Sequence, residues 1–230
     1  MTVLYDDDQI LVVDKPAGLL AQPDHTGDPD VLTLARDWTG KSDPFVGLVH
    51  RLDRPTSGLM VLARSSAAAR VLSRQFRERT AQKQYLAIVE GSLRGIGTWT
   101  DFIAKPGRRP TIVGPDHPEG KSAELDWQAL QAAEGNTLLQ IQLRTGRPHQ
   151  IRLQAAERGH PVVGDLRYGG AEAGLPAGIA LHHAVLRIEH PSDASMKTFV
   201  AEVPAAWSSV LTDAMRSAID RSLALARPGA

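Results

Sequence analysis

Apolar positions along the chain follow two different periods. Over Val3–Tyr5, Ile10–Val13, Val46–Val49 and Leu59–Ala63 they form short runs. Over Tyr85–Val89, Thr98–Ala104, Ala123–Leu130 and Leu138–Leu143 they alternate with polar positions or are β-branched. Both patterns predict strands, as do Ala180–Ile188 and Thr198–Val203. Helical spacing takes over from Asp30, a capping residue, through Trp38, and again from Ala205 to about Leu225. A third helix opens at Ser66, with Ala67, Val71, Leu72 and Phe76 on one face and Arg70, Arg74 and Arg77 on another. Pro148 suits the first turn of a helix that reaches Arg158 and stops at Gly159, which sets His149 and Arg152 three apart on one face. Strands that are not strictly interleaved with helices predict an α+β fold: a mixed, mostly antiparallel sheet with flanking helices. The stretch Gly107–Gly120, rich in Pro and Gly, reads as an irregular excursion. No repeat or linker interrupts the chain, so a single domain over 1–230 is the economical reading.

The 230 residues, 42% of them hydrophobic, suffice for a sizeable core. Cysteine is absent, which excludes disulfides, thiolate catalysis and Cys-based zinc sites. The start, Met-Thr-Val-Leu-Tyr-Asp-Asp-Asp, lacks the basic and apolar regions of a signal peptide. No apolar run approaches the ~20 residues of a membrane span, so a cytoplasmic protein with no membrane partner is expected. Net charge is zero, yet residues 31–110 hold fourteen basic and six acidic side chains. Arg64, Arg70, Arg74, Arg77, Arg79 and Lys83 form one basic cluster, and Lys105, Arg108 and Arg109 a second. Both are candidates to meet phosphates, the alternative being an ordinary solvated face.

The run His50-Arg51-Leu52-Asp53-Arg54-Pro55-Thr56-Ser57-Gly58-Leu59 places a carboxylate in a loop between two apolar runs. Pro55 fixes its own φ and biases Arg54 toward extended backbone, Thr56 and Ser57 can satisfy local donors, and Gly58 permits close backbone approach. The loop is expected to be stiff. An isolated loop Asp ordinarily caps a turn, but two further segments change its weight. These are Lys83-Gln84-Tyr85 with Leu86-Ala87-Ile88-Val89, and Arg144-Thr145-Gly146-Arg147-Pro148-His149-Gln150-Ile151-Arg152.

In this order the three segments resemble the motifs of the RluA-type pseudouridine synthases, H-R-L-D-x-x-T-S-G-[LVI], a Tyr opening a strand, and T-G-R-x-H-Q-[IL]-R. The resemblance extends from Tyr5 through Val12-Val13-Asp14-Lys15-Pro16-Ala17-Gly18-Leu19 and Gly159–Asp165 to Leu181-His182 and His190-Pro191. It implies that Asp53 is the essential catalytic residue, that Tyr85 contacts the target uracil, and that Arg152 is the basic partner. Arg51, Arg54, Lys83, Arg147, His149 and Leu181 are implied as substrate contacts, with Arg54 as a wedge into the vacated stack and Arg51 as support for the loop. The ribosomal-protein-type RNA-binding domain of some relatives is not expected ahead of the catalytic resemblance. The chain departs from the pattern at Arg152-Leu153-Gln154, where many members have R-x-H, and at Leu181-His182-His183, where Leu-His-Ala is usual.

The implied chemistry detaches uracil from ribose at N1, turns it and rejoins it through C5, so no cofactor is expected. A carboxylate serves such a cleavage as nucleophile or base, and needs a neighbouring cation to stay ionised in a site closed to water. Tyr85 can stack on the base, and its hydroxyl can assist proton removal from C5. A uridine in structured RNA must be extruded, so the expected partner is a stem-loop of rRNA or tRNA bound by a monomer. Other readings are a non-catalytic RNA-binding or RNA-chaperone protein on the same fold, and a glycosidase, which lacks an obvious second carboxylate. His50, His149, His160, His182, His183 and His190 show no metal-ligand spacing, so no metal is expected. Gly164–Gly170 lacks the strand-to-helix context of a phosphate cradle and reads as a turn near the site.

Overall fold

The structure is a computed structural model that describes residues 1–107 and 109–227. In chain order its elements are β1 (Thr2–Asp6), β2 (Ile10–Lys15), α1 (Val31–Trp38), β3 (Gly47–Leu48), β4 (Ser57–Ala63), α2 (Ser66–Glu78), β5 (Gln82–Glu90), β6 (Ile96–Ala104), β7 (Thr111–Val113), β8 (Lys121–Ala133), β9 (Asn136–Leu143), α3 (Gln150–Glu157), β10 (Leu181–Glu189), β11 (Met196–Val200) and α4 (Asp213–Ala226). The strands join in one sheet in the order β1-β2-β4-β10-β5-β9-β8-β6-β7, with β3 beside β4 and β11 beside β10. All pairings are antiparallel except β10 with β4. The expected α+β class and mixed, mostly antiparallel sheet are what the structure shows.

The apolar runs of β2 and β4 mark strands covered on both faces. Leu11, Val13, Met60 and Leu62 belong to one core cluster, while Ile10, Val12, Leu59, Val61 and Ala63 belong to a second. Helix α2 covers the second cluster with Ala68 and Leu72, and Ser65 accepts the Ala68 N–H at 3.1 Å as its cap. Ala68 faces the core where Ala67 was expected to, and Ala67 is exposed. Arg70, Arg74 and Arg77 are exposed as the periodicity predicts.

Three expectations change. The supposed excursion contains β7, because Thr111–Val113 pairs with Phe102–Ala104. The C-terminal helix breaks into a 3-10 turn, Ala205–Ser209, and α4. The Trp207 indole is buried in the core at the turn, and the Thr212 hydroxyl accepts the Met215 N–H at 3.3 Å to start the helix afresh. Helix α3 begins at Gln150, so Pro148 lies in the turn before it, and His149 occupies the N-cap with φ of +54°.

The parallel junction positions the central loop. His182 and His183 of β10 stand beside Ser57 and Gly58 of β4. Gly58 has φ of +113°, and a Cβ there would lie 2.4 Å from the His183 carbonyl oxygen. Gly58→Ala should therefore cost at least about 2 kcal/mol, combining a left-handed backbone with a backbone clash. Gly114→Ala, at an ordinary φ with nothing within 4 Å, should stay within about 0.5 kcal/mol. Urea unfolding of both variants checks this, and equal midpoints would contradict it.

Candidate active site

The loop from Val49 to Thr56 is pinned from several directions. The Thr56 N–H donates to the Asp53 carbonyl at 3.0 Å, the Gly18 N–H to that of Arg54 at 2.8 Å, and the Ile179 N–H to that of Pro55 at 3.2 Å. Beneath it Lys15, fully buried, donates to the carbonyls of Pro16, Leu19 and Arg54 at 3.0, 2.8 and 3.2 Å. All three ammonium donors are thus used. Burial lowers the Lys15 pKa to about 8, with Asp53 opposing. Ser57 does not serve local donors as expected; its hydroxyl meets Nδ1 of His182 at 2.9 Å across the parallel junction.

Asp53 stands in this frame with its side chain 20% exposed. Arg152 Nη1 donates to its Oδ2 at 3.0 Å, while Nε and Nη2 donate to Oδ2 and Oδ1 of Asp165 at 2.6 and 2.8 Å. Asp165 is 1% exposed and Arg152 4%. Burial works against the Arg152 charge, but Asp165 and then Asp53 hold its pKa above the ordinary value. A fork shared this way is fixed in plane and direction, so Asp53 meets a cation that cannot swing away.

His149 and Tyr168 complete this corner. The Arg152 guanidinium lies 5.0 Å from the centre of the Tyr168 ring. The Tyr168 hydroxyl and His149 Nδ1 are 2.8 Å apart, and His149 Nε2 is 3.8 Å from Asp53 Oδ1. Burial lowers the His149 pKa, and Arg152 acts in the same direction. The expected proximity of His149 and Arg152 holds, at 3.4 Å between Nδ1 and Nη1, although the cap rather than a helical turn creates it. Gln150 secures the loop before α3, its Oε1 accepting from Thr145 Oγ1 at 2.7 Å and from the Arg147 N–H at 3.0 Å.

Tyr85 and Lys83 lie two apart on β5 and face the same side. The Tyr85 ring stacks on His183 with centroids 4.5 Å apart and planes 14° from parallel. Burial and then Asp53 push the Tyr85 phenol far above its usual pKa. His183, one of the departures from the family pattern, approaches the Leu59 carbonyl with Nδ1 at 2.7 Å, and its Nε2 has no partner among the described residues. Gln154, the other departure, donates to Asp101 Oδ2 and to the carbonyls of Trp99 and Ala123.

These groups share a cleft of about 530 Å³ that Asp53, Tyr85, Arg152, Arg51, Lys83, Arg147, His149 and Leu181 all line. Arg54 is placed elsewhere: it donates to the Gly18 carbonyl at 2.9 Å and pairs with Asp28 at 2.8 Å on the exposed side of the loop. Arg51 is exposed at the cleft, and its side chain makes no hydrogen bond among the described residues, so it does not brace the loop. Of the basic clusters, Arg77, Arg79 and Lys83 reach the cleft, and Arg64, Arg70 and Arg74 do not. Lys105 and Arg109 are exposed, and Arg108 lies outside the described residues.

Sequence reasoning missed Lys15, Asp165 and Tyr168. The signal for the last two was a Gly-flanked Asp and Tyr in the segment read only as a turn near the site. The histidines are engaged singly: His50 stacks on Phe76 at 4.4 Å and accepts the Val61 N–H, and His190 meets Asp7 and Ser192. Among the described residues no three His, Cys, Asp or Glu side chains converge as a metal site would require.

Comparison with known proteins adds the family. Residues 9–157 match the family described as RNA pseudouridylate synthase. The chain is 37% identical over 246 residues to ribosomal large subunit pseudouridine synthase D of Xanthomonas campestris, covering 99% of this chain and 73% of that one. It is 36% identical over 212 residues to the dual-specificity RNA pseudouridine synthase RluA of Escherichia coli, covering 87% and 92%. Human RNA pseudouridylate synthase domain containing 4 shares the fold, with a TM-score of 0.77 at 22% identity over 94% of this chain and 93% of that one.

The unequal burial of the two carboxylates has a measurable consequence. Asp165→Ala should cost about 3–5 kcal/mol, because it leaves a buried guanidinium short of its main partner. Asp53→Ala should cost under about 1 kcal/mol, since its partner stays bidentate on Asp165. Urea denaturation of the free protein measures both, and comparable losses would contradict the asymmetry.

Proposed function

We propose that the chain, which belongs to the RNA pseudouridylate synthase family, acts on a uridine in a stem-loop of ribosomal or transfer RNA, with Asp53 as the group that opens the glycosidic bond. Family membership makes it an isomerase that converts RNA uridine to pseudouridine. The substrate class follows the names of its relatives, one a ribosomal large subunit enzyme and one a dual-specificity RNA enzyme. The observation that carries the role of Asp53 is the shared Arg152 fork, which engages Oδ2 and leaves Oδ1 without a bond to it. A non-catalytic RNA-binding role is not favoured.

In this reading the extruded uridine enters the cleft with its uracil on the Tyr85 ring and Leu181 as an apolar wall. Asp53 acts as nucleophile or base while the N1–C1′ bond breaks. The detached uracil turns on the Tyr85 platform, C5 bonds to C1′, C5 gives up its hydrogen and N1 takes up a proton. Product and substrate have the same atoms, so the reaction consumes nothing. With its phenol so hard to ionise, Tyr85 enters protonated, as platform and hydrogen-bond donor rather than as a ready base. Arg51, on the cleft side of the loop, is better placed than Arg54 to fill the vacated stack. A glycosidase would need a second carboxylate free to donate a proton, and Asp165 is committed to Arg152. No helix of the described residues is long and apolar enough to cross a membrane. We assign residues 1–230 to one catalytic domain acting as a monomer in the cytoplasm.

Asp53→Asn should keep fold and RNA affinity while pseudouridine formation falls roughly 10³-fold or more. Arg152→Lys should retain part of the activity that Arg152→Ala loses, because it keeps charge but cannot bridge two carboxylates. Release of tritium from C5-labelled uridine in ribosomal and transfer RNA measures all three. Turnover by Asp53→Asn within tenfold of the unaltered protein would overturn the assignment.

A further inference from the structure

Lys83 is about nine-tenths buried, lines the cleft, and makes no hydrogen bond or ion pair among the described residues. It contrasts with Lys15, the other fully or nearly buried lysine, which uses its donors on three carbonyls. Lys83 Nζ lies 3.7 Å from where a Cβ on Gly146 would stand, at the loop that carries Arg147. Burial disfavours the Lys83 charge, and Arg79, in the left-handed C-cap of α2, lies close enough to add to that effect. The other titratable groups around it, His50, His183 and Tyr85, are kept neutral by burial. Among the described residues Asp53 is the one acidic side chain lining the cleft, and it is engaged by Arg152. The wall of Lys83, Arg79 and Arg147 therefore has no anion of its own among the described residues, and a mostly buried lysine whose ammonium has no protein partner is favoured by the arrival of an anion.

We propose that Lys83, flanked by Arg79 and Arg147, seats the 5′-phosphate of the flipped nucleotide itself. The proposal rests on the reading that the uracil lies on Tyr85. Two residues of β-strand separate Lys83 from Tyr85 by about 6.6 Å, comparable to the span from a nucleotide's base to its own phosphate. A phosphate also suits three converging cations better than a neutral carbonyl of the base would.

The probes are 5′-uridine monophosphate and uridine, titrated into the whole protein labelled at lysine and followed by NMR, with Lys83→Met identifying the Lys83 signal. The Lys83 amine should titrate near pH 8 in the free protein. The nucleotide should raise this by roughly one unit, and uridine should leave it in place. Because the bound pKa is the higher, nucleotide affinity should be full between about pH 7, where the monoester phosphate is doubly ionised, and pH 8, and fall as pH rises through the bound value. The nucleotide should bind about tenfold or more tighter than uridine. Lys83→Met should cut that preference several-fold, leaving the share due to Arg79 and Arg147, and remove the pH dependence that Lys83 contributes, while Lys83→Arg should keep the preference without that pH dependence. Lys15 also titrates near pH 8, but it is common to all variants and cancels in the comparison. A Lys83 signal unmoved by millimolar nucleotide, or a Lys83→Met protein whose preference for the nucleotide is undiminished, would overturn the proposal. If RNA is isomerised while Lys83 stays unmoved, only the phosphate seat falls. If Lys83 responds but no uridine in RNA is converted, the seat stands and the isomerase reading fails.

Discussion

Arg152 is shared by two carboxylates of unequal standing, and the site depends on that inequality. Asp165 is buried and takes two donors of the fork, whereas Asp53 is partly open to the cleft and takes one. The buried partner stabilises the guanidinium and fixes its plane. The open partner receives a cation without surrendering both of its oxygens. Reversing those roles would leave Asp53 locked, as Asp165 is.

That arrangement needs three distant stretches of chain held in fixed positions relative to one another. Helix α3 brings Arg152, the 3-10 helix Leu166–Tyr168 brings Tyr168 with Asp165 just before its first turn, and the loop between β3 and β4 brings Asp53. The parallel contact of β4 with β10 ties the Asp53 loop to the strand behind Tyr85, and Gly58 permits the backbones to approach closely enough. Lys15 fastens the same loop from below through carbonyls alone. The chemistry-bearing groups thus stand on segments that have little freedom to shift, which is what preorganised catalysis demands.

Much of the fold was legible because β2, β4, β5 and β9 carry continuous or alternating apolar residues that mean the same thing locally and globally. The failures have local causes. Helical composition continues from Ala205 onward, but the burial of Trp207 and the capping of α4 by Thr212 split the segment. Pro148 looked like a first-turn residue, while the left-handed His149 postponed the helix. At the site, Asp53, Tyr85 and Arg152 were readable from their motifs, and the structure gathers them in one cleft. Arg54 was expected inside and points out, because Asp28 and the Gly18 carbonyl attract it from the other side of the loop. Asp165 and Lys15 could not be ranked from sequence, since their weight comes from partners 13 and up to 39 residues away.

The central claim is that Asp53 meets the ribose while Arg152 remains anchored on Asp165. A crystal structure of Asp53→Ala with a substrate stem-loop trapped in the cleft tests it most directly. The account requires the target uracil stacked on Tyr85, its C1′ facing position 53, and Arg152 still bidentate on Asp165. A uracil seated away from Tyr85, or Arg152 released from Asp165 to bind a phosphate, would contradict it.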